Sequence, residues 1–479
     1  AQEHKSTPTR TLPWQPLPQV SPPTSRYMPQ PPRQLSLFDA TMLVMGGIIG
    51  IGIFFNPAGI ARAVPNETAY LAMWGLGAVA ALSGAMTFAE LSASFPRTGG
   101  WYVWLREAFG GMTAFLFAWV VLLVVSTGAC ALVARFLGEQ VAALFGGGLK
   151  VEVTSAAMAV VGVTVLALSG LKSSALFQNV CMLMKLGAVF TFIIGGLAIF
   201  AGPSMAAEVA AVDQTSTSLP SGMLSASLSV LFSFGGWQLL SYIAPSVKDP
   251  QRNLPRAIVI GVVAVAAIYF LVNLSYLRVL GLGGLAVSDT VGQGPMAVRM
   301  AEAILGTSHG ATFVNAAIAI SALGFLVATL ITTPGIYVAM ARERLFVRSF
   351  GHVHPTTGAP VLALITQCIL VLAYLAYSLV DKSAIDTLTK AVVFAEWIFH
   401  CLAGLALIVL VRRGAAERPF KSPLYPLFPV TYAAIAAAVV IGNLLTTTRS
   451  EPSVTLLGVL VLAVGAITYV PWSRSMSRK

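Results

Sequence analysis

Met45-Gly46-Gly47-Ile48-Ile49-Gly50-Ile51-Gly52-Ile53-Phe54 places four glycines inside ten residues of an otherwise apolar run. Glycine is poor in helices and frees backbone groups to point elsewhere. In a bilayer such irregular backbone persists only where it is buried or lines a cavity. A second interruption, Phe232-Ser233-Phe234-Gly235-Gly236-Trp237-Gln238, falls in a later apolar run. Taken alone, Gly46 and Gly50 read equally well as a small-residue packing face. Two matched interruptions in corresponding places shift the reading to inverted repeats with a site near the membrane midplane.

The rest of the chain supports a membrane reading. Of its 479 residues 57% are hydrophobic and 10% charged, whereas a soluble domain carries about 25% charged residues. A soluble enzyme is excluded. The net charge of +11 would suit a nucleic-acid binder if the basic residues were clustered, but they lie between apolar stretches. Twelve such stretches, each near the roughly 20 residues a spanning helix needs, fall near 40–63, 69–94, 108–134, 153–171, 173–201, 222–244, 257–277, 309–340, 359–380, 390–411, 422–446 and 453–472. Twenty of the 29 Lys and Arg residues lie on the side of the termini and eight on the other, which predicts cytoplasmic termini.

The expected organisation is a disordered Pro-rich cytoplasmic tail over 1–36, a ten-helix core over 37–411, two further helices over 412–472, and a short cytoplasmic tail over 473–479. The tail lacks the apolar core of a signal peptide, and the missing initiator Met suggests trimming or an incomplete start. Cys130, Cys181, Cys368 and Cys401 all lie inside expected spans, so no disulfide framework is implied.

Lys185 is the one charge in the run from Ser173 to Ala201. An ionisable group in mid-span is expensive and normally faces a cavity or a partner. Glu396 and His400 share a helical face at i, i+4 and read as a proton relay or as a satisfied polar contact. Glu90 and Asp39, at span ends, are expected at the interface. Gly306-Thr307-Ser308-His309-Gly310 matches G-x-S-x-G but joins two membrane helices, so it is no nucleophile elbow. His352 and His354 form a lone H-x-H without further ligands at zinc spacing. Neither a cofactor nor a metal site is expected.

With these residues in view the chain resembles the amino acid–polyamine–organocation superfamily and, within it, a bacterial-like member of the L-type amino-acid transporter group. The resemblance rests on Gly50-Ile51-Gly52-Ile53-Phe54, Phe95-Pro96-Arg97-Thr98-Gly99-Gly100, Phe232 to Gln238, Val247 to Arg256, Ala341-Arg342-Glu343 and Arg418-Pro419-Phe420-Lys421. It implies an all-α membrane protein of twelve transmembrane helices. Helices one to five and six to ten form a LeuT-type 5+5 inverted repeat, and helices 1 and 6 are discontinuous.

It further implies that the amides of Ile51 and Gly52 hold a substrate carboxylate, with Gly50 allowing close approach. The carbonyls of Ile48, Phe232 and Gly235 take the α-ammonium, which suits half-helix ends. Gly236 leaves room for the substrate side chain, Trp237 and Gln238 shape the wall, and Phe232 is the gate. Many relatives carry Ser or Ala where this chain has Ile51, so a hydroxyl contact there is absent. Lys185 stands in for a sodium ion, bridging backbone near Gly47 and the hydroxyls of Thr332 or Thr333.

No acidic partner for a cationic side chain is identifiable near Gly236, so the expected substrates are small to medium neutral L-amino acids moved without sodium by exchange. A proton-coupled or cationic permease, and a non-transporting sensor, are the alternatives. Phe136 to Glu152 contains no cysteine, so no obligate disulfide-linked subunit is expected. The partners are the substrate and the lipid bilayer, and no nucleic acid.

Overall fold

The four-glycine stretch does not carry a continuous helix. In the computed structural model, α1 (Leu37–Ile48) stops and α2 (Gly52–Ala63) restarts at an angle of 41°. Ser36 opens α1 with a capping box, its hydroxyl accepting from the Asp39 amide while the Asp39 carboxylate accepts from the Ser36 amide. At the far end the Ile49 amide donates to Met45 and the Gly50 amide to Ile48, both 2.8 Å, which closes the helix.

The structure describes residues 33–199, 219–288, 295–380, 384–450 and 452–477. The Pro-rich tail up to residue 32 and the last two residues lie outside them. Within them the chain continues as α3 (Glu67–Ser94), α4 (Trp101–Phe109), α5 (Gly111–Phe145), α6 (Leu149–Leu168), α7 (Leu171–Ile194), α8 (Leu219–Ser233), α9 (Pro250–Val287), α10 (Met296–Leu305), α11 (Thr307–Thr332), α12 (Pro334–Arg342), α13 (Val361–Tyr377), α14 (Ala384–Arg412), α15 (Leu427–Ser450) and α16 (Pro452–Ser477). No β-strand occurs among the described residues. By length and apolarity, six helices among the described residues can cross a membrane, or seven if the bent α1–α2 pair is one span.

The second interruption is broken too. After α8 the chain is non-helical through Gly235 and Gly236, then forms a tight 3₁₀ segment over Trp237–Ser246. Gly236 adopts φ +116°, a region that side chains rarely enter. Inside α5 a π-helical turn, Val121–Val125, interrupts the α-helix, a device that often marks functional sites. Helices α4 and α10 were not expected from apolar runs, because both are short and two-sided rather than continuously apolar.

Aromatic packing fixes the position of the second break. The Phe88 ring of α3 meets Trp101, Trp104, Trp237 and Tyr432 with centroids at 5.1, 5.0, 4.7 and 6.2 Å, mostly edge to face. Glu90, expected at the interface, is instead fully buried. Its carboxylate accepts from Arg418 Nε and, at 2.8 Å, from the Ser422 amide. This clamps the α14–α15 connection onto the end of α3, because a buried carboxylate is kept only when paired. Arg418→Ala should lower the apparent melting temperature in detergent, with a loss of up to about 3 kcal/mol. An unchanged melting temperature would remove the clamp from the account.

Candidate transport site

The two breaks meet backbone to backbone. A Cβ on Gly236 would lie 2.1 Å from the Gly47 carbonyl oxygen, and one on Gly47 would lie 2.7 Å from the Gly236 carbonyl oxygen. Only glycine allows this approach from either side. Gly236 was expected to leave space for a substrate side chain, but the space is filled by the Gly47–Ile48 backbone. Gly52 approaches Ser233 of α8 less tightly, a Cβ there lying 3.2 Å from Ser233 Oγ, and Asn56 reinforces that contact, donating to Ser233 Oγ at 2.7 Å and to the Ser229 carbonyl at 3.1 Å.

Beside this junction lies a cavity of about 130 Å³. One water needs roughly 10–15 Å³, so the space suits a small molecule. Gly47, Ile48, Gly50, Ile51 and Gly52 line it from the first break, and Phe232, Gly235, Gly236 and Gln238 from the second. Thr333, Glu396 and His400 line it as well. The amides opening α2 have no intrahelical partner, and Ile51 supplies no side-chain cap, so they are available to an anionic group.

Two expected acceptors are already engaged. The Ile48 carbonyl accepts from the Gly50 amide and, at 3.1 Å, from the Tyr269 hydroxyl, while the Phe232 carbonyl accepts from the Gly235 amide at 3.2 Å. A second lone pair on Phe232 remains. Its ring is 40% exposed at the cavity wall. Trp237 is a correction, since its indole packs on Gly84, Phe88 and Tyr432, away from the cavity. Gln238 does reach it, accepting from the Gly236 amide at 2.9 Å and donating to Glu396 Oε1 at 3.1 Å. Glu396 lies 3.6 Å from His400 Nε2, and His400 Nδ1 shares a short hydrogen bond with the Tyr432 hydroxyl. A carboxylate therefore stands in the cavity wall, which overturns the expectation of no acidic group near Gly236.

Lys185 is 1% exposed and donates to the carbonyls of Gly46, at 3.2 Å, and Ile49, at 2.7 Å. Both flank Gly47. The hydroxyl partners on the eighth apolar run are not those expected. Thr332 bonds within its own helix to Ala328, at 2.7 Å, and Thr333 accepts from Ser126 at 3.2 Å. Ser321 of that run donates to the Gly50 carbonyl at 2.9 Å rather than to Lys185, and Gly324 provides space for the lysine, since a Cβ there would sit 2.9 Å from Lys185 Cε. A line of tyrosines was also missed. Tyr269 and Tyr276, i and i+7 on α9, donate to the carbonyls of Ile48 and Ile53, one on each side of the break. Their spacing puts both on one helix face, the only signal that could have found them.

Two broken helices thus meet at one small cavity, with unpaired amides at the start of α2. Comparison with known sequences is more specific. The amino acid permease family model matches residues 35–464, and the chain belongs to that family. It is a transporter and not an enzyme.

The chain is similar to the serine/threonine exchanger SteT of Bacillus subtilis, 30% identical over 435 residues, which cover 90% of this chain and 96% of that protein. It is also 30% identical over 399 residues to the b(0,+)-type amino acid transporter 1 of Mus musculus, covering 82% and 79% of the two chains. With the large neutral amino acids transporter small subunit 2 of Homo sapiens it shares 28% over 447 residues, 91% and 80%.

Proposed function

We propose that this protein exchanges small to medium neutral L-amino acids across a cell membrane without sodium, by alternating access around the paired breaks. The observation that carries the reading is the meeting of both breaks at one small cavity where the α2 amides are free. Those amides and the positive end of the α2 dipole suit the carboxylate. The second lone pair on Phe232 and the Gly235 carbonyl suit the α-ammonium. The Phe232 ring occludes the cavity by a rotamer change.

Further parts of the reading extend this. The helices take up twelve spans in a 5+5 inverted repeat, with α1–α2 and α8 with the 3₁₀ segment as corresponding broken helices, followed by two more helices over 412–472. The distribution of Lys and Arg favours cytoplasmic termini. The absence of cysteine from Phe136 to Glu152 favours activity without a disulfide-linked partner. A cationic substrate is a second reading, favoured by the Glu396 carboxylate in the cavity wall, although Gln238 and His400 already occupy it.

Uptake by purified protein in liposomes, in sodium and in choline buffer and with and without internal amino acid, tests the proposal. Equal uptake in both buffers, stimulated by internal substrate, is expected. Uptake that collapses in choline removes sodium independence, and uptake indifferent to internal amino acid removes exchange. A decarboxylated amine that competes as well as its parent amino acid would favour the cationic reading.

A further inference from the structure

The wall opposite the breaks is built from side chains, and its hydrogen bonds are incomplete. Gln367 Nε2 of α13 donates to Ser126 Oγ of α5 at 2.7 Å, and Ser126 Oγ donates to Thr333 Oγ1 at 3.2 Å. Each hydroxyl has a single hydrogen. The chain of donors therefore ends at Thr333, whose own hydrogen points to no partner among the described residues. Thr329, one turn earlier on the same wall, is 3% exposed and its Oγ1 has no hydrogen-bond partner among the described residues. Ser126, Thr329 and Thr333 all line the cavity.

Thr329 differs from its neighbours in this. Buried threonines elsewhere in the bundle satisfy their hydroxyls on the preceding helical turn, as Thr87 does on Ser83, Thr164 on Val160 and Thr332 on Ala328, at 2.7 to 2.8 Å. That internal bond is the ordinary outcome for a helical threonine in an apolar setting. A buried hydroxyl left without a partner is costly, and the partnerless Thr329 hydroxyl and the undonated Thr333 hydrogen, four residues apart, face the same small space. The surroundings are apolar, with Val121, Val125 and Phe325 beside them.

We propose that Thr329 and Thr333, with Ser126 and Gln367 behind Thr333, form a subsite that reads a hydroxyl on the substrate side chain, so that serine and threonine are preferred over amino acids of equal size without one. The inference rests on the amino-acid reading above and narrows it. Thr333 donates to the substrate oxygen, and the substrate hydroxyl donates to Thr329. Both protein groups become fully satisfied only when a donor-and-acceptor group arrives, and an aliphatic side chain leaves the Thr329 hydroxyl and the Thr333 hydrogen without partners. A site that hydrogen-bonds a substrate hydroxyl discriminates strongly against the analogue lacking it, whereas a single methylene discriminates by only roughly 10-fold to 200-fold.

Competition for uptake by the full-length protein in liposomes tests this with two pairs, serine against alanine and threonine against valine. Thermal shift of the detergent-solubilised protein by the same four amino acids gives a second readout. In the wild type, threonine should outcompete valine, and serine alanine, by about 10-fold or more. Thr329→Val should bring threonine down to the level of valine, and Thr333→Val should do the same. Thr164→Val, remote from the cavity, should keep the full ratio. Valine and threonine competing equally in the wild type, or a ratio unmoved by Thr329→Val, overturns the subsite and leaves the transport reading standing. If none of the four competes or shifts the melting curve, the amino-acid reading fails as well.

Discussion

Gly236→Ala should abolish uptake and sharply reduce the yield of folded protein. The added carbon would lie 2.1 Å from the Gly47 carbonyl oxygen, 2.4 Å from its carbonyl carbon and 2.9 Å from the Ile48 amide. None of these is the end of a flexible side chain. The Gly47 segment can retreat only by withdrawing Gly46 and Ile49 from Lys185, and Ile48 from Tyr269. Strain adds to the clash, because φ +116° suits glycine alone, and a non-glycine residue in a sparsely populated region costs about 1–3 kcal/mol.

Gly50→Ala is the matched comparison. Its nearest neighbour would be Phe325 at 3.7 Å, an ordinary contact, so the variant should fold and change substrate affinity instead. Size-exclusion profiles and liposome uptake of both variants decide the matter. Wild-type uptake by Gly236→Ala would mean that the two breaks do not touch.

The second large effect is expected at Lys185. Its ammonium holds the carbonyls of Gly46 and Ile49, on either side of Gly47, with Ser321 holding Gly50 from α11. Hydrogen bonds to a charged group contribute about 1.5–3 kcal/mol each, so losing both loosens the geometry that presents Ile51 and Gly52. Lys185→Met keeps the length of the side chain without the charge, and flux should fall by about 10-fold to 100-fold at equal protein, in line with one or two such bonds.

A lysine amino group held at this point also underlies the proposed independence of sodium. Two backbone carbonyls are ligands suited to a cation, and the lysine occupies them. A sodium ion beside it would meet like-charge repulsion in a low dielectric. Flux by Lys185→Met equal to wild type would sink the role given to Lys185. Sodium dependence appearing in that variant would strengthen it.

How much of this was legible in the sequence depends on whether a feature lies along the chain or across it. The breaks were legible because glycine is a local statement about backbone, and Lys185 because a lone charge in an apolar run has one economical explanation. What each glycine is for was not legible. Gly236 and Gly47 exclude side chains for each other, and Gly324 makes room for a lysine on another helix, relations visible only in space. Trp237 was misplaced for the same reason, since its neighbours in sequence face the cavity while Phe88 and Gly84 of α3 draw the indole away.

Thr332 and Thr333 were expected beside Lys185 on their helix alone. Two to three turns closer to the start of that helix, Ser321 and Gly324 are at the right height, and nothing in the local sequence singles out that level over the later threonines. Glu90 was misjudged because a carboxylate at a span end ordinarily meets water, and nothing local reveals that Arg418 and Ser422 close over it.

The junction of Gly47 with Gly236 also bears on how substrate range can diverge. One wall of the cavity is largely main chain, and in the proposed function it addresses the groups that every α-amino acid shares. At Gly47 and Gly236 mutation can alter it only by adding atoms where none fit, so that junction is closed to gradual change. The facing wall, on α5, α11 and α14, consists of side chains such as Thr329 and Glu396, each replaceable without moving the backbone. Libraries aimed at new substrates should therefore randomise the second wall and leave the first untouched, because inheritance of the shared chemistry and variation of the particular chemistry are carried by separate parts of one small chamber.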